Sequence, residues 1–273
     1  MRYDATARAF DALAADYDAT YGPEGNAVMT WMRRENLALL MDAFPPGSRL
    51  LELGCGSGEE ALALALAGRA VLATDVSPKM AAVTRAKALA SGVSGRLQAA
   101  AIPAGGLSAL WPSMPFDGAY ASFGSLNCEP DLAGVCVELG RLLRPGGLFI
   151  TSVMNPVCLF EIVWYLLHGQ PHAALRRLRR GWQLAPVAGD TGVEVQVRTR
   201  YLAARDVARA FEPAFSVTRV LALPLLLPPP YADTLFRRRR AFFARCEPWE
   251  QRLRARWPWR HLGDHVVVVL RRR

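Results

Sequence analysis

Residues 50–58 read Leu-Leu-Glu-Leu-Gly-Cys-Gly-Ser-Gly, and the run Glu59-Glu60-Ala61-Leu62-Ala63-Leu64-Ala65 follows directly. An apolar strand ends in a glycine-rich turn, and a helix opens behind it. Glycine has no side chain, so its backbone adopts positive φ and lets a ligand approach closely. The unpaired N–H groups of the helix start face that ligand. Strand, GxGxG turn and helix together read as a nucleotide-type binding site in an α/β unit.

Two details choose the nucleotide. A dinucleotide turn reads GxGxxG, with its third glycine where the helix packs on the strand. Here that position is Glu59, and the third glycine comes one residue early, at Gly58. Glu52 also stands two residues before the first glycine. A pyrophosphate is repelled by a carboxylate there, whereas a cationic ligand is attracted. S-adenosylmethionine (SAM) carries a sulfonium and an α-ammonium and no phosphate. The pattern resembles motif I of the class I SAM-dependent methyltransferases, E/D-x-G-x-G-x-G.

The downstream segments extend the resemblance. Arg69–Asp75 reads as a second strand ending in an acid, and such an acid can accept from both ribose hydroxyls. Asp75 has a second reading as a helix N-cap, since Pro78 suits a first helical position. Ser77 is the better cap, which leaves Asp75 free. The family's D-x-S-x-x-M segment matches Asp75, Ser77 and Met80, and the resemblance implies that Val76 packs on the adenine. A third strand is expected near Gly95–Pro103. Where many family members place an acid at its end, this chain has alanines, so adenine recognition is expected from the backbone near Ala101 and Ile102.

Phe116-Asp117 opens a fourth strand running to Gly124, which resembles the family's motif IV. The resemblance places the loop 125–131 beneath the transferred methyl. Apolar residues at helical spacing span Leu132–Leu143, and Arg144-Pro145-Gly146-Gly147 stops that helix before a fifth strand, Leu148–Val153. Arg8–Asp18 resembles the F-D-x-x-A-x-x-Y-D lead of ubiquinone- and menaquinone-type methyltransferases. The resemblance implies a helix over the cofactor, with Tyr17 reaching the methionine end; a plain amphipathic helix is the other reading.

The resemblance implies an α/β fold: a Rossmann-like, seven-stranded, mostly parallel sheet with an antiparallel last strand, helices on both faces, and substrate-side lid insertions. Its parts are a helical cap over the cofactor (1–44), a SAM-binding core (45–155), and the rest of the sheet with insertions (156–273). The insertions fall at about 156–192 and 225–262. Within them the sequence predicts an apolar helix over 157–167, a basic amphipathic helix over Ala173–Arg180, and an alternating strand over Val193–Tyr201. A covering helix is expected over Leu202–Phe211, a strand over Phe215–Leu223, an arginine- and tryptophan-rich helical stretch after Pro228-Pro229-Pro230-Tyr231, and a last strand over His265–Leu270.

The cofactor-contacting set is therefore Tyr17, Glu52, Gly54, Cys55, Gly56, Gly58, Asp75, Val76, Met80, Ala101, Ile102, Ser122 and Phe123. No catalytic residue is assigned. Among the four histidines, His265 and His261 flank the start of the last strand, nearest the expected acceptor side. None of the five cysteines forms a CxxC pair, so neither zinc nor disulfides are expected. No signal peptide or apolar run of membrane-spanning length is visible, and a cytoplasmic location is expected.

The net charge of +9 is unevenly placed. From residue 225 onward twelve arginines face four acids, and 171–200 carries six arginines against two acids. These are the parts expected to select the methyl acceptor. Three readings stay open for them: solvated helix faces, a lid over a hydrophobic or anionic small molecule with contact to anionic membrane, and a nucleic-acid surface. The expected function is methyl transfer from SAM to a small, hydrophobic or anionic metabolite at an O, N or C atom. The alternatives are a nucleic-acid methyltransferase, an NAD(P)-dependent oxidoreductase, and a non-catalytic SAM-binding module.

Overall fold

The computed structural model describes residues 3–22, 25–110, 114–179, 181–188 and 194–273. Arg180 and Val193, at the edges of two expected elements, lie outside them. The strands are β1 (Arg49–Leu53), β2 (Ala70–Asp75), β3 (Leu97–Ala101), β4 (Phe116–Ala121), β5 (Leu143–Met154), β6 (Gln183–Ala188), β7 (Glu194–Thr199), β8 (Phe215–Leu223) and β9 (His265–Arg272). The helices are α1 (Asp4–Leu13), α2 (Tyr17–Tyr21), α3 (Ala27–Ala43), α4 (Glu59–Leu66), α5 (Pro78–Ala90), α6 (Leu132–Leu142), α7 (Leu159–Leu167), α8 (Pro171–Ala174), α9 (Ala204–Phe211), α10 (Asp233–Arg238) and α11 (Arg240–Leu253).

The main sheet has seven strands in the order β3-β2-β1-β4-β5-β9-β8. β1 to β5 pair in parallel, and β9 runs antiparallel to both β5 and β8. β8 therefore points the same way as the first five, and only the last strand is reversed. The Val266-Val267-Val268-Val269 run explains why β9 sits inside the sheet. A strand covered on both faces needs apolar residues at every position. Val267 and Val269 join the core beneath α3, α4 and α10, while Val266, Val268 and Leu270 join the core beneath α6 and α9.

Helix boundaries follow local chemistry. The side chains of Asn26, Ser77 and Asp131 each accept a backbone N–H of the first turn they cap, and Pro78 fills a first-turn position. Among the described residues no helix is long and apolar enough to cross a membrane.

Two expectations need correction. The N-terminal segment is not one helix over Arg8–Asp18: α1 ends at Leu13, and α2 starts at Tyr17 after a turn. That break sends the Tyr17 ring over Gly56. The basic stretch 173–180 is not an amphipathic helix either. α8 stops at Ala174, and a 3₁₀ turn covers Arg176–Leu178. The register breaks because Arg177 turns inward to meet buried carboxylates on two other elements, which an outward-facing helical arginine cannot do. The alternating strand expected over 193–201 is present as β7, which pairs antiparallel with β6. Pro186 lies in β6, and proline is tolerated in an edge strand whose N–H is not needed. This hairpin covers α1, with Val187 and Val195 packing on Leu13, Ala14 and Met80.

Candidate active site

The carboxyl ends of β1 to β4 form one edge of the sheet, where doubly wound folds bind ligands. Beyond β1 the chain turns through Gly54 (φ 71°) and Gly56 (φ 52°), and Gly58 (φ 79°) caps α4. A Cβ at Gly54 would lie 2.4 Å from the Cβ of Ser125, so only glycine admits the β4 loop this close. A Cβ at Gly56 would stand 3.5 Å from the Tyr17 ring. The turn is tied to β2: the amides of Gly54 and Cys55 donate to the Thr74 carbonyl at 2.7 and 3.0 Å.

Asp75, at the end of β2, is buried. Its Oδ2 accepts the Gly56 amide at 2.9 Å, and its Oδ1 accepts the Ser77 amide at 2.8 Å. Asp75 is thus not free, although Ser77 does cap α5. Each oxygen keeps a second lone pair. Burial, partly offset by these two amides, raises the Asp75 carboxyl to about 6.

Glu52 is 1% exposed. Its carboxyl faces the buried hydroxyl of its cross-strand neighbour Tyr120, and neither its Oε2 nor that hydroxyl meets a further hydrogen-bond partner among the described residues. Burial, then the charge of Glu60, holds the Glu52 carboxyl well above the usual range. Glu60 itself pairs with Arg33 of α3 at 2.6 Å. Glu52, Glu60 and Asp75 thus gather three carboxylates around the turn, with Arg33 as their named cationic neighbour. A buried carboxyl with only a hydroxyl beside it, in an acidic surround, carries its charge at a cost that a cation would relieve.

The other expected residues fall around this turn. Val76 and Ile102 are half-buried, and Ala101 is exposed at the end of β3, paired with Asp75. Cys55 is buried with its thiol pushed up by burial, which suits a small filler rather than a nucleophile. The Cys128 thiol is likewise pushed up, to about 11. Met80 is fully buried beneath Leu13 and Ala14, so it supports the turn from behind. The Tyr17 hydroxyl is raised, first by burial and then by Tyr21, whose ring lies 4.8 Å away.

Beyond β4, Ser122 accepts from Asn36 of α3 at 2.9 Å. Phe123 has φ 50°, a strained conformation for a bulky side chain. The Ser152 hydroxyl accepts its amide at 2.7 Å and holds it there. Arg33 lies 5.9 Å from one side of the Phe123 ring, and His265 meets it edge-on at 6.3 Å. Phe123 therefore touches both Arg33, beside the glycine turn, and His265, at the start of β9. His265 Nδ1 lies 2.8 Å from Asp264 Oδ2. His261 is differently placed: its Nε2 accepts from Arg260 at 3.1 Å, and burial lowers its proton affinity.

Sequence reasoning missed Arg33, Asn36, Glu60 and the pair Asp264–Arg177. Arg33 and Asn36 lie on α3, which carries no motif, so only tertiary contact reveals them. Asp264 sits beside His265 in the sequence, and that adjacency was the one available signal. Two surface clefts, of about 230 and 380 Å³, lie elsewhere, beside Glu35 and Arg254 and beside Trp31 and Arg240.

Comparisons with known proteins agree with this geometry. The family described as "Methyltransferase domain" matches residues 50–147. A "Ubiquinone biosynthesis O-methyltransferase" of Xylella fastidiosa is 38% identical over 109 residues, which are 40% of this chain. The match spans 43% of that relative, less than half its length. Among solved structures, the CcbJ methyltransferase from Streptomyces caelestis superposes with a TM-score of 0.63 at 18% identity, covering 97% of each chain. The N-methyltransferase NodS from Bradyrhizobium japonicum, solved with S-adenosyl-L-homocysteine (SAH), superposes at 0.58 and 12% identity, covering 98% of this chain and 99% of that one. At these identities the structural likeness speaks for the fold.

Proposed function

Because residues 50–147 belong to the class I SAM-dependent methyltransferases, we infer that the chain transfers a methyl group from SAM to a small-molecule acceptor. The observation that carries this reading is the buried Glu52 carboxyl on β1, two residues before the glycine turn and close to Glu60 and Asp75. A carboxylate there matches an α-ammonium and rejects a phosphate. Asp75 accepts from the ribose hydroxyls, the backbone of Gly54 and Gly56 gives close approach, and Tyr17 closes the turn from above. Val76 and Ile102 flank the adenine. Bound SAM supplies an electrophilic methyl on a cationic sulfur. The protein's part is to align the acceptor in line with that methyl and to exclude water.

The acceptor is a hydrophobic or anionic metabolite. The wall that faces it, Phe123 and the lid around α7, is aromatic and apolar, and the lid's arginines supply positive charge. Calorimetry with SAH tests the donor half. No binding at about 1 mM, weaker than about 4 kcal/mol, refutes the reading. Transfer of labelled methyl from SAM into a metabolite extract, with the product weighed by mass spectrometry, tests the acceptor half.

The Asp75 carboxyl gives a pH-dependent prediction. With a folded value of about 6, Asp75 is ionised at pH 7.5 and largely protonated at pH 5. The protonated acid loses acceptor capacity, so SAH affinity should fall as pH drops through 6. Asp75→Ala should weaken SAH about tenfold at pH 7.5, in keeping with about 1.4 kcal/mol for one charge-assisted bond, and should flatten that pH dependence. An unchanged pH dependence in the variant would show that Asp75 does not carry it.

A further inference from the structure

We propose that His265 Nε2 takes the proton from an O–H or N–H acceptor during methyl transfer, and that Asp264, locked by Arg177 from the lid, positions the imidazole for it. The inference deepens the methyltransferase reading and rests on it.

Four observations carry it. His265 opens β9 opposite Met154, the last residue of β5, at the same sheet edge as the glycine turn. Its ring abuts Phe123, and the Phe123 ring also meets Arg33, which pairs with Glu60 beside the cofactor turn. Its Nδ1 is engaged by Asp264 at 2.8 Å, while its Nε2 has no hydrogen-bond partner among the described residues and keeps some solvent access. A carboxylate on Nδ1 places the proton there in the neutral ring and leaves the Nε2 lone pair outward. Finally, Asp264 is itself fixed. Its Oδ1 pairs with Arg177 at 2.6 Å, its carbonyl accepts from the same guanidinium at 3.2 Å, and Arg177 pairs in turn with Glu161 of α7. Asn155 completes the frame by donating to the carbonyls of His261 and Gly263 at 2.8 and 3.0 Å.

The charged and titratable groups around His265 are Asp264 immediately before its strand, Arg177 and Glu161 from the lid, Cys158 before α7, and Arg33 against the Phe123 ring. Two cations and two carboxylates leave this surround near neutral, so the contacting Asp264 decides which ring nitrogen holds the proton.

The step balances. The acceptor lone pair forms a bond to the methyl carbon, the carbon–sulfur bond breaks, and its electron pair stays on sulfur as a neutral thioether. The acceptor proton passes to Nε2, and the imidazolium faces Asp264 until it releases that proton to water. The acceptor class is therefore a hydroxyl or amine that arrives protonated, such as a phenol, rather than a pre-formed carbanion.

Two readouts test this on the full chain. In ¹⁵N-histidine NMR of the SAH complex, neutral His265, assigned through His265→Gln, should be the Nδ1–H tautomer. The Nε2–H tautomer, or an imidazolium that persists at pH 9, overturns the proposal, and this arm needs no acceptor. In labelled-methyl transfer to the metabolite extract, His265→Gln should bind SAH normally yet transfer about 100-fold more slowly at pH 7, with the deficit shrinking at high pH. Added imidazole should restore part of the rate to His265→Ala. In Asp264→Asn the neutral ring should lose its fixed Nδ1–H tautomer in the same ¹⁵N spectrum, because the carboxylate that holds that proton is gone. A His265→Gln rate equal to wild type across the pH range overturns the proposal while the methyltransferase reading stands. Failure of wild-type chain to bind SAH overturns that reading instead.

Discussion

Glu52→Gln is expected to make the ligand-free protein more stable and its grip on SAH about 10- to 100-fold weaker. The two effects share one cause. The Glu52 carboxyl is sealed from solvent, faces only the Tyr120 hydroxyl, and lies near Glu60 and Asp75. A charge in that position is costly until a cation reaches it. The raised folded-state pKa fixes the direction with pH. The folded protein holds this proton to higher pH than the unfolded chain does. Stability from this group is therefore present at low pH and lost as pH rises from the ordinary glutamate value through the folded one. The gap between Glu52→Gln and wild type should widen from pH 5 to pH 8, to roughly 1–3 kcal/mol. With SAH present the order should reverse, because a charge-assisted bond worth about 1.5–3 kcal/mol is missing from the variant complex. Urea denaturation at both pH values, with and without SAH, gives all four numbers. A variant that is less stable without ligand at pH 8 would mean that Glu52 is satisfied without a cation, and the cofactor assignment would fall with it.

What could be read from the chain in advance depended on how local its cause was. The glycine turn, the Ser77 cap and the valine run of β9 each carry their own reason within a few residues. Strand, helix and sheet order follow from them through right-handed crossovers. The lid is different. A helix over 173–180 is the natural reading of its spacing, yet Arg177 turns inward because Glu161 lies 16 residues earlier and Asp264 lies 87 residues later. Neither partner is visible from the local period. The hairpin strand β6 was hidden by Pro186, which is admissible only because the strand has a free edge.

The site shows the same division. Gly54, Gly56 and Asp75 were legible because their causes are local: positive φ and close approach demand the glycines, and the acid ending β2 ties the Gly56 amide. Arg33 and Asn36 were not, since α3 brings them in only by packing across the sheet edge. His265 was visible as a histidine in a plausible place. Its relation to Asp264 and Arg177, which makes it chemically distinct from His261, needed coordinates.

Arg177→Met should be the most destabilising single change in the lid, at about 3–5 kcal/mol near neutral pH. Arg177 is 7% exposed and touches carboxylates from two separate elements. Methionine fills similar volume but leaves Asp264 buried without its cation. Glu161 suffers less, because Arg176 still meets its Oε1 at 2.5 Å. The pH dependence separates this from lost packing. In the wild type Arg177, then His265, holds the Asp264 carboxyl far below the ordinary aspartate range despite its burial. That stabilisation is fully present above the unfolded value near 4 and is lost only as pH falls below it. In the variant the same carboxylate is a burden at pH 7 that lightens once it takes up a proton. The difference between variant and wild type should therefore shrink as pH falls from 7 toward 4. Adding Asp264→Asn to Arg177→Met should recover much of the loss at pH 7, since a buried pair replaced on both sides costs far less than one broken on one side. A stability gap that stays constant from pH 7 to 4, with no recovery in the double variant, would reduce Arg177 to a packing residue. The lid would then need another anchor, and Asp264 another reason to hold His265 in place.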